Sequence, residues 1–238
     1  MPPILIPAAL TLAAAAGTTL YAGLSYESQL FGPSLVSPPD PRELALTFDD
    51  GPNPAATSRL LEILARHNAR ATFFLIGDYV LREPALTREL LAAGHTLGNH
   101  TMHHPWLPRH SDSTIRAEIA ACNNALEDTL GQRVTLFRPP HGARRPAVMR
   151  IARELGLETV QWNVMVGDWM NRTPDDLHRR IEKGIAANRR RQRGTNVVLH
   201  DGSQHDPRAD RTATVDAVEK LLAQLAPGAR LVTPPRWT

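Results

Sequence analysis

The stretch Leu44-Ala45-Leu46-Thr47-Phe48-Asp49-Asp50-Gly51-Pro52 sets an apolar run against two adjacent carboxylates and a Gly-Pro stop. The run reads as a buried strand, and Gly51-Pro52 as the turn that ends it. Two carboxylates crowded at a strand end repel each other, and burying them without a cation is costly. A positive partner is therefore expected beside Asp49 and Asp50, and a divalent metal is the natural candidate.

Outward from this run, short apolar segments alternate with helical patterns. The predicted strands are 44–48, 71–76, 96–98, 134–137, 159–162, 196–199 and 230–232. The helical patterns fall near 57–67, 84–93, 114–130, 146–155, 174–188 and 212–225, the last with a stripe at Val215, Val218, Leu222 and Leu225. Repeated strand–helix alternation implies an α/β fold with a parallel sheet. Six or more such units in one domain fit a closed barrel of about seven strands better than an open sheet. Polar clusters follow the strands: Asp49-Asp50, then His100 and His104, Arg138, Asp168 and His200. The C-terminal strand ends of such folds share one face, so these distant residues are expected in one cleft.

The composition bounds the function. Only two of the 27 basic residues are lysine, Lys183 and Lys220, and the net charge of +3 does not argue for a nucleic-acid partner. The single cysteine, Cys122, excludes an internal disulfide and a Cys-based zinc knuckle. It falls on the apolar side of a helical pattern, so core packing is expected. Residues 4–24 carry no charge and are mostly apolar, which suits a signal peptide or a membrane anchor. Export is therefore expected, either membrane-anchored or periplasmic/extracellular. Residues 25–41, with four prolines, read as an extended linker, and 42–238 as the catalytic domain.

His100 and His104 are four apart, a spacing that predicts one helical face for both imidazoles. Two histidines and a carboxylate form a known catalytic zinc set. His103, between them, is expected at the surface or behind the site. With these residues in place, the chain resembles the polysaccharide deacetylases of carbohydrate esterase family 4, a family with a distorted parallel barrel. The matching motifs are Thr47-Phe-Asp-Asp-Gly-Pro52, His100-Thr-Met-His-His104, Arg138-Pro-Pro-His-Gly142, Gly167-Asp168-Trp169 and Val198-Leu-His200. They come in the family order.

The resemblance implies removal of N-acetyl groups from an N-acetylglucosamine-containing polysaccharide (peptidoglycan, chitin-like oligomer or exopolysaccharide), with one divalent metal: zinc first, cobalt or nickel also acceptable. An amidase or O-acetyl esterase of the same fold, and a non-catalytic sugar-binding protein, are the alternatives. Asp50, His100 and His104 would be the metal ligands. Asp49 would be the general base oriented by Arg138, and His200 the general acid oriented by Asp168. The backbone N–H of His141 would stabilise the developing oxyanion. Val198 would contact the acetyl methyl, and Trp169 would wall the sugar groove, while Trp162 is expected in the core. Two positions depart from the family pattern: His141 stands where tyrosine is usual, and Met165 where an aspartate is usual. The Met165 departure predicts the loss of a polar contact to Arg138. The run Arg189-Arg190-Arg191 with Arg193 ends a helix at the barrel end away from the cleft. With the N-terminal segment entering at that end, membrane association through residues 4–24 and these arginines is expected.

Overall fold

The structure is a computed structural model that describes residues 21, 23–234 and 237. The apolar run 4–24 therefore lies almost wholly outside the described residues. Strand β1 (Glu43–Gly51) is buried along almost its whole length. Its side chains alternate between two environments, as a pleated strand requires. Leu44, Leu46 and Phe48 pack outward against Leu60, Leu64, Val215 and Val218. Ala45 faces inward, among Phe74, Leu136 and Val160.

Around β1 are arranged β2 (Thr72–Leu75), β3 (Thr96–Asn99), β4 (Leu136–Phe137), β5 (Glu158–Thr159), β6 (Val164–Met165) and β7 (Thr195–His200), with β8 (Arg230–Leu231) beside the start of β1. The strand order is β5-β4-β3-β2-β1-β7-β6, and every pairing is parallel. The layer of helices comprises α1 (Ala56–Arg66), α2 (Gly77–Arg82), α3 (Pro84–Ala92), α4 (Asp112–Leu130), α5 (Pro146–Glu154), α6 (Pro174–Arg190) and α7 (Thr212–Ala223). Short α2 was not among the expected helices. Cys122 is fully buried in α4.

β5 and β6 lie at opposite ends of this order, yet only Val160–Asn163 separates them in the chain. The sheet must therefore curl until its ends approach, which gives the distorted parallel barrel. One extended run, begun on β4 and finished on β7, spans the seam. In place of the single strand expected at 159–162 there are two short strands, β5 and β6, because the pairing changes partner within that run.

Residues 25–41 are not a free linker. Leu35 forms a parallel bridge with Val160, and the Asn196 amide donates to Val36 and Gln161 carbonyls across the seam. These hydrogen bonds, with Leu35 packed on the inner cluster, hold the segment against the barrel in place of the unattached state that the prolines suggest. Buried Arg144 donates to the Ser25 and Ser28 carbonyls, and Tyr26 stacks on Trp162 at 5.5 Å. The segment thus passes beside Arg144, just after the Pro140–Gly142 turn that follows β4, and not solely at the far end as expected. Arg193 is engaged by Glu27 at 2.8 Å, so the arginine run offers three charges rather than four to any outside surface.

Candidate active site

Asp49 and Asp50 are neighbours, and a regular strand would send their side chains to opposite faces. The chain prevents this. Asp50 has φ 70°, and the β1–β2 register shifts between Asp49 and Gly51. A left-handed aspartate costs about 1 kcal/mol or more, and the bulge brings both carboxylates to the barrel mouth. Two glycines permit it. A Cβ on Gly51 would lie 2.2 Å from the Asp201 carboxylate, and one on Gly202 would lie 1.8 Å from the Asp50 carbonyl. Asp201 is fully buried behind this turn and accepts from Thr57. Burial, with the charges of Asp50 and Asp49, pushes its carboxyl up to about 7.

His100 and His104 do converge on Asp50, but not on a helix. His100 follows β3, and Thr101 and His104 take positive φ values of 67° and 58°. Asn99 Oδ1 accepts the Thr101 N–H, and Thr101 Oγ1 accepts the His104 N–H, which holds the tight loop. The expected helical face is thus replaced by two left-handed turns. His100 Nε2 and His104 Nε2 lie 3.5 and 3.2 Å from Asp50 Oδ1. His103 points away, with its ring on Glu118.

These three residues are the candidate metal centre among the described residues: one ligand atom from each lies within 4.8 Å of the others. Two further observations fit a cation. His100 Nδ1 donates to the Arg138 carbonyl at 2.7 Å, which leaves Nε2 as the lone-pair nitrogen. Asp50 Oδ1 is buried without a hydrogen-bond partner. Burial, then neighbouring His100, pushes His104 down to about 3, so its imidazole is neutral. Burial opposes the charge of Asp50, but the polar imidazoles of His100 and His104 beside it, with the charge of His200, outweigh it and hold this carboxyl below its ordinary range.

Asp49 is held differently. Arg138, wholly buried, donates from Nη1 to Asp49 Oδ1 at 2.7 Å and to Thr47 Oγ1 at 2.8 Å. Its Nε and Nη2 donate to the Val160 and Gln161 carbonyls, and its plane lies 4.1 Å from the Phe74 ring centroid. Backbone carbonyls of the seam thus complete the guanidinium. Met165 is half-exposed at the cleft, and without an aspartate there each nitrogen of Arg138 still has an acceptor.

Across the cleft, the β1–β7 register pairs Asp49 with His200. His200 Nδ1 meets Asp168 Oδ1 at 2.8 Å, and Asp168 Oδ2 accepts the His200 N–H and the Thr214 hydroxyl. Burial opposes the imidazolium, but Asp168 outweighs it and raises His200 to about 9. His141, φ 59°, sits in the Pro140–Gly142 turn. Its ring packs tilted against Trp106, with centroids 4.9 Å apart, and edge-on to His104 at 4.6 Å. Val198, Trp162, Trp169 and Met165 line the remaining walls of a cleft of about 570 Å³. Trp162, expected in the core, is buried yet forms part of this wall. The loop residues Ser203, Gln204, His205 and Arg211 also line it; they lie beyond the last recognisable motif, so no spacing signalled them.

Comparisons with known proteins agree with this geometry. The polysaccharide deacetylase family model matches residues 37–160. The chain is 36% identical over 199 residues to a peptidoglycan-N-acetylglucosamine deacetylase of Bacillus cereus, covering 82% of this chain and 88% of that one. It is 37% identical over 174 residues to a chitooligosaccharide deacetylase of Bradyrhizobium, covering 73% and 76%. A solved peptidoglycan N-acetylglucosamine deacetylase, in complex with an N-hydroxybenzamide, superposes with a TM-score of 0.76 at 30% identity, covering 85% of this chain and 90% of that one. By sequence and by fold, the chain belongs to the polysaccharide deacetylase family.

Proposed function

We propose that this protein is a metal-dependent hydrolase that removes acetyl groups from N-acetylglucosamine residues of a polysaccharide, of the peptidoglycan or chitin-like kind on which its relatives are named to act. One observation carries the reading: the Asp50–His100–His104 cluster, the Asp49–Arg138 pair and the Asp168–His200 pair open into a single cleft. Zinc is the metal proposed, since two imidazoles and one carboxylate suit it; cobalt and nickel accept the same donors.

Asp50, His100 and His104 hold the cation. When bound, it supplies a Lewis acid for the acetyl carbonyl and lowers the pKa of water at the site. Asp49, fixed by Arg138, takes the proton of the attacking water. The His141 N–H donates to the carbonyl oxygen as that oxygen gains negative charge. His200, kept protonated by Asp168, gives its proton to the departing amine, so acetate and a free amino sugar leave. Val198 offers the apolar wall for the acetyl methyl, and Trp169 a flat face for a sugar ring.

The test is acetate release from N-acetylated glycans by the metal-loaded protein. No release from any of them, with metal bound, would sink the proposal. Replacing Asp49 by Asn separates an enzyme from a sugar-binding protein on the same fold: turnover disappears while glycan binding remains. We further propose an exported enzyme, tethered or released, because residues 4–24 are uncharged and apolar. Arg189, Arg190 and Arg191 are the charges left to favour an anionic membrane. Finding the native protein in the cytosolic fraction would overturn that placement.

A further inference from the structure

The turn that carries His141 lies between the two arginines that are buried among the described residues, Arg138 and Arg144. Arg138 fixes Asp49, whereas the hydrogen bonds of the Arg144 side chain all go to backbone carbonyls. Its Nη1 donates to Gly142 at 3.2 Å, and its Nη2 donates to Ser25 and Ser28 at 2.8 and 2.7 Å. Its backbone N–H donates to the Gly23 carbonyl at 3.0 Å. One buried guanidinium thus ties the turn to residues 23–28, far upstream in the chain.

The turn has little else to hold it. His141 and Gly142 both take left-handed backbone, with φ 59° and 64°, a conformation that is costly for a residue with a side chain. β4 ends at Phe137 and α5 starts only at Pro146, so neither ladder nor helix fixes the residues between. Packing from the seam does. A Cβ on Gly142 would lie 2.6 Å from the Trp162 ring, and Gln161 Nε2 donates to the Gly142 carbonyl at 3.3 Å. Tyr26 stacks on that same Trp162 with ring planes 25° apart. The segment is itself anchored, since Glu27 takes both Nη groups of Arg193 and the Leu35 N–H donates to the Thr159 carbonyl at 2.9 Å. It therefore reaches the turn twice, through Arg144 and through Trp162. Sealing the seam would need only apolar contacts such as that of Leu35, and a desolvated guanidinium is a costly way to do it.

We propose that residues 23–28 are a brace for the oxyanion turn, with Arg144 and Tyr26 as the positioning residues that keep the His141 N–H in place. The rate of the chemical step then depends on the segment that joins the barrel to the apolar N-terminal run. The inference rests on the deacetylase reading and adds a dependence that the cleft residues by themselves do not give.

The test uses the full, metal-loaded chain and acetate release from N-acetylglucosamine oligomers. Tyr26, half-buried, is the safer site. Tyr26→Ala lowers kcat roughly tenfold with KM changed by no more than about twofold, and Tyr26→Phe, which keeps the stack, holds the wild-type rate. Arg144→Gln lowers kcat roughly 100-fold, the scale of a misplaced oxyanion donor, and keeps its metal. A phosphonamidate analogue, whose tetrahedral oxygen stands where charge develops, loses affinity in step with kcat/KM; an unchanged affinity overturns the proposal. A merely structural segment would lower the melting temperature and leave kcat of the folded protein unchanged. That result overturns the proposal, as does an equal loss in Tyr26→Ala and Tyr26→Phe. If Arg144→Gln does not fold, the Tyr26 pair decides alone. If the wild type releases no acetate, the deacetylase reading fails by itself. Amide hydrogen exchange then decides the brace: faster exchange at His141 and Gly142 in Tyr26→Ala, restored in Tyr26→Phe, supports it, and unchanged exchange overturns it.

Discussion

The two histidine–carboxylate clusters that face each other across the cleft are satisfied in opposite ways. On the β1–β3 side, Asp50 Oδ1 and His104 Nδ1 are buried without hydrogen-bond partners, and Asp50, Thr101 and His104 hold left-handed backbone. On the β7 side, both oxygens of Asp168 are used, by His200 and Thr214. An orphaned buried carboxylate oxygen costs about 1–3 kcal/mol or more, so the first cluster is stable chiefly when something positive completes it. The second needs nothing from outside. The same two residue types thus make a candidate ion-binding site in one place and a proton-holding pair in the other. Burial helps keep His104 neutral, whereas Asp168 keeps His200 charged.

Breaking the first cluster gives the largest effect. Asp50→Asn or His104→Ala should reduce bound metal from one equivalent to near none, measured by elemental analysis. Acetate release should fall roughly a thousandfold or more. Chelation should do the same, and zinc should reverse it in the wild type but not in the variants. Next comes the residue between the clusters. Asp49→Asn should keep its metal and lose roughly 100- to 10,000-fold in kcat, the range for a general base. Loss of metal together with activity would mean that Asp49 is a ligand and not a base.

The second cluster is probed through pH. His200 has its folded pKa raised from 6.5 to about 9, so its stabilising effect is complete below 6.5 and is lost as pH rises through about 9. Asp168→Asn should remove that dependence in denaturant titrations at different pH values. It should also move the alkaline limb of the kcat/KM profile to lower pH and lower kcat by roughly 10- to 100-fold. An unmoved limb would exclude His200 as the acid. The smallest effect is expected at Met165. Because every nitrogen of Arg138 already has an acceptor, Met165→Asp should change thermal stability by no more than about 0.5 kcal/mol. A gain of several kcal/mol would show that Arg138 lacks a partner after all.

Much of this site was legible in the chain. Asp49-Asp50 demanded a cation on electrostatic grounds alone, and the polar residues after each strand predicted a shared mouth. The means of convergence were not legible. A spacing of four suggested a helix for His100 and His104, yet two left-handed residues bring them together, since loop dihedrals leave no periodic trace in sequence. Trp162 looked like core because burial and cleft-lining draw on the same apolar residue types. Arg144 carried no signal, because an arginine beside a turn is ordinary until the distant carbonyls it meets are known.

The sequence by itself determined the alternation of strands and helices, the residue types at the strand ends and the presence of a charge in need of a partner. These follow from local pattern and from the cost of burying like charges. Only the tertiary structure decided that Val160–Asn163 closes the barrel, that Leu35 lines its seam and that Arg138 is completed by backbone carbonyls. Those outcomes depend on which distant groups meet in space. Parallel register, which sets Asp49 beside His200, decides that through long-range hydrogen bonds that no local window contains.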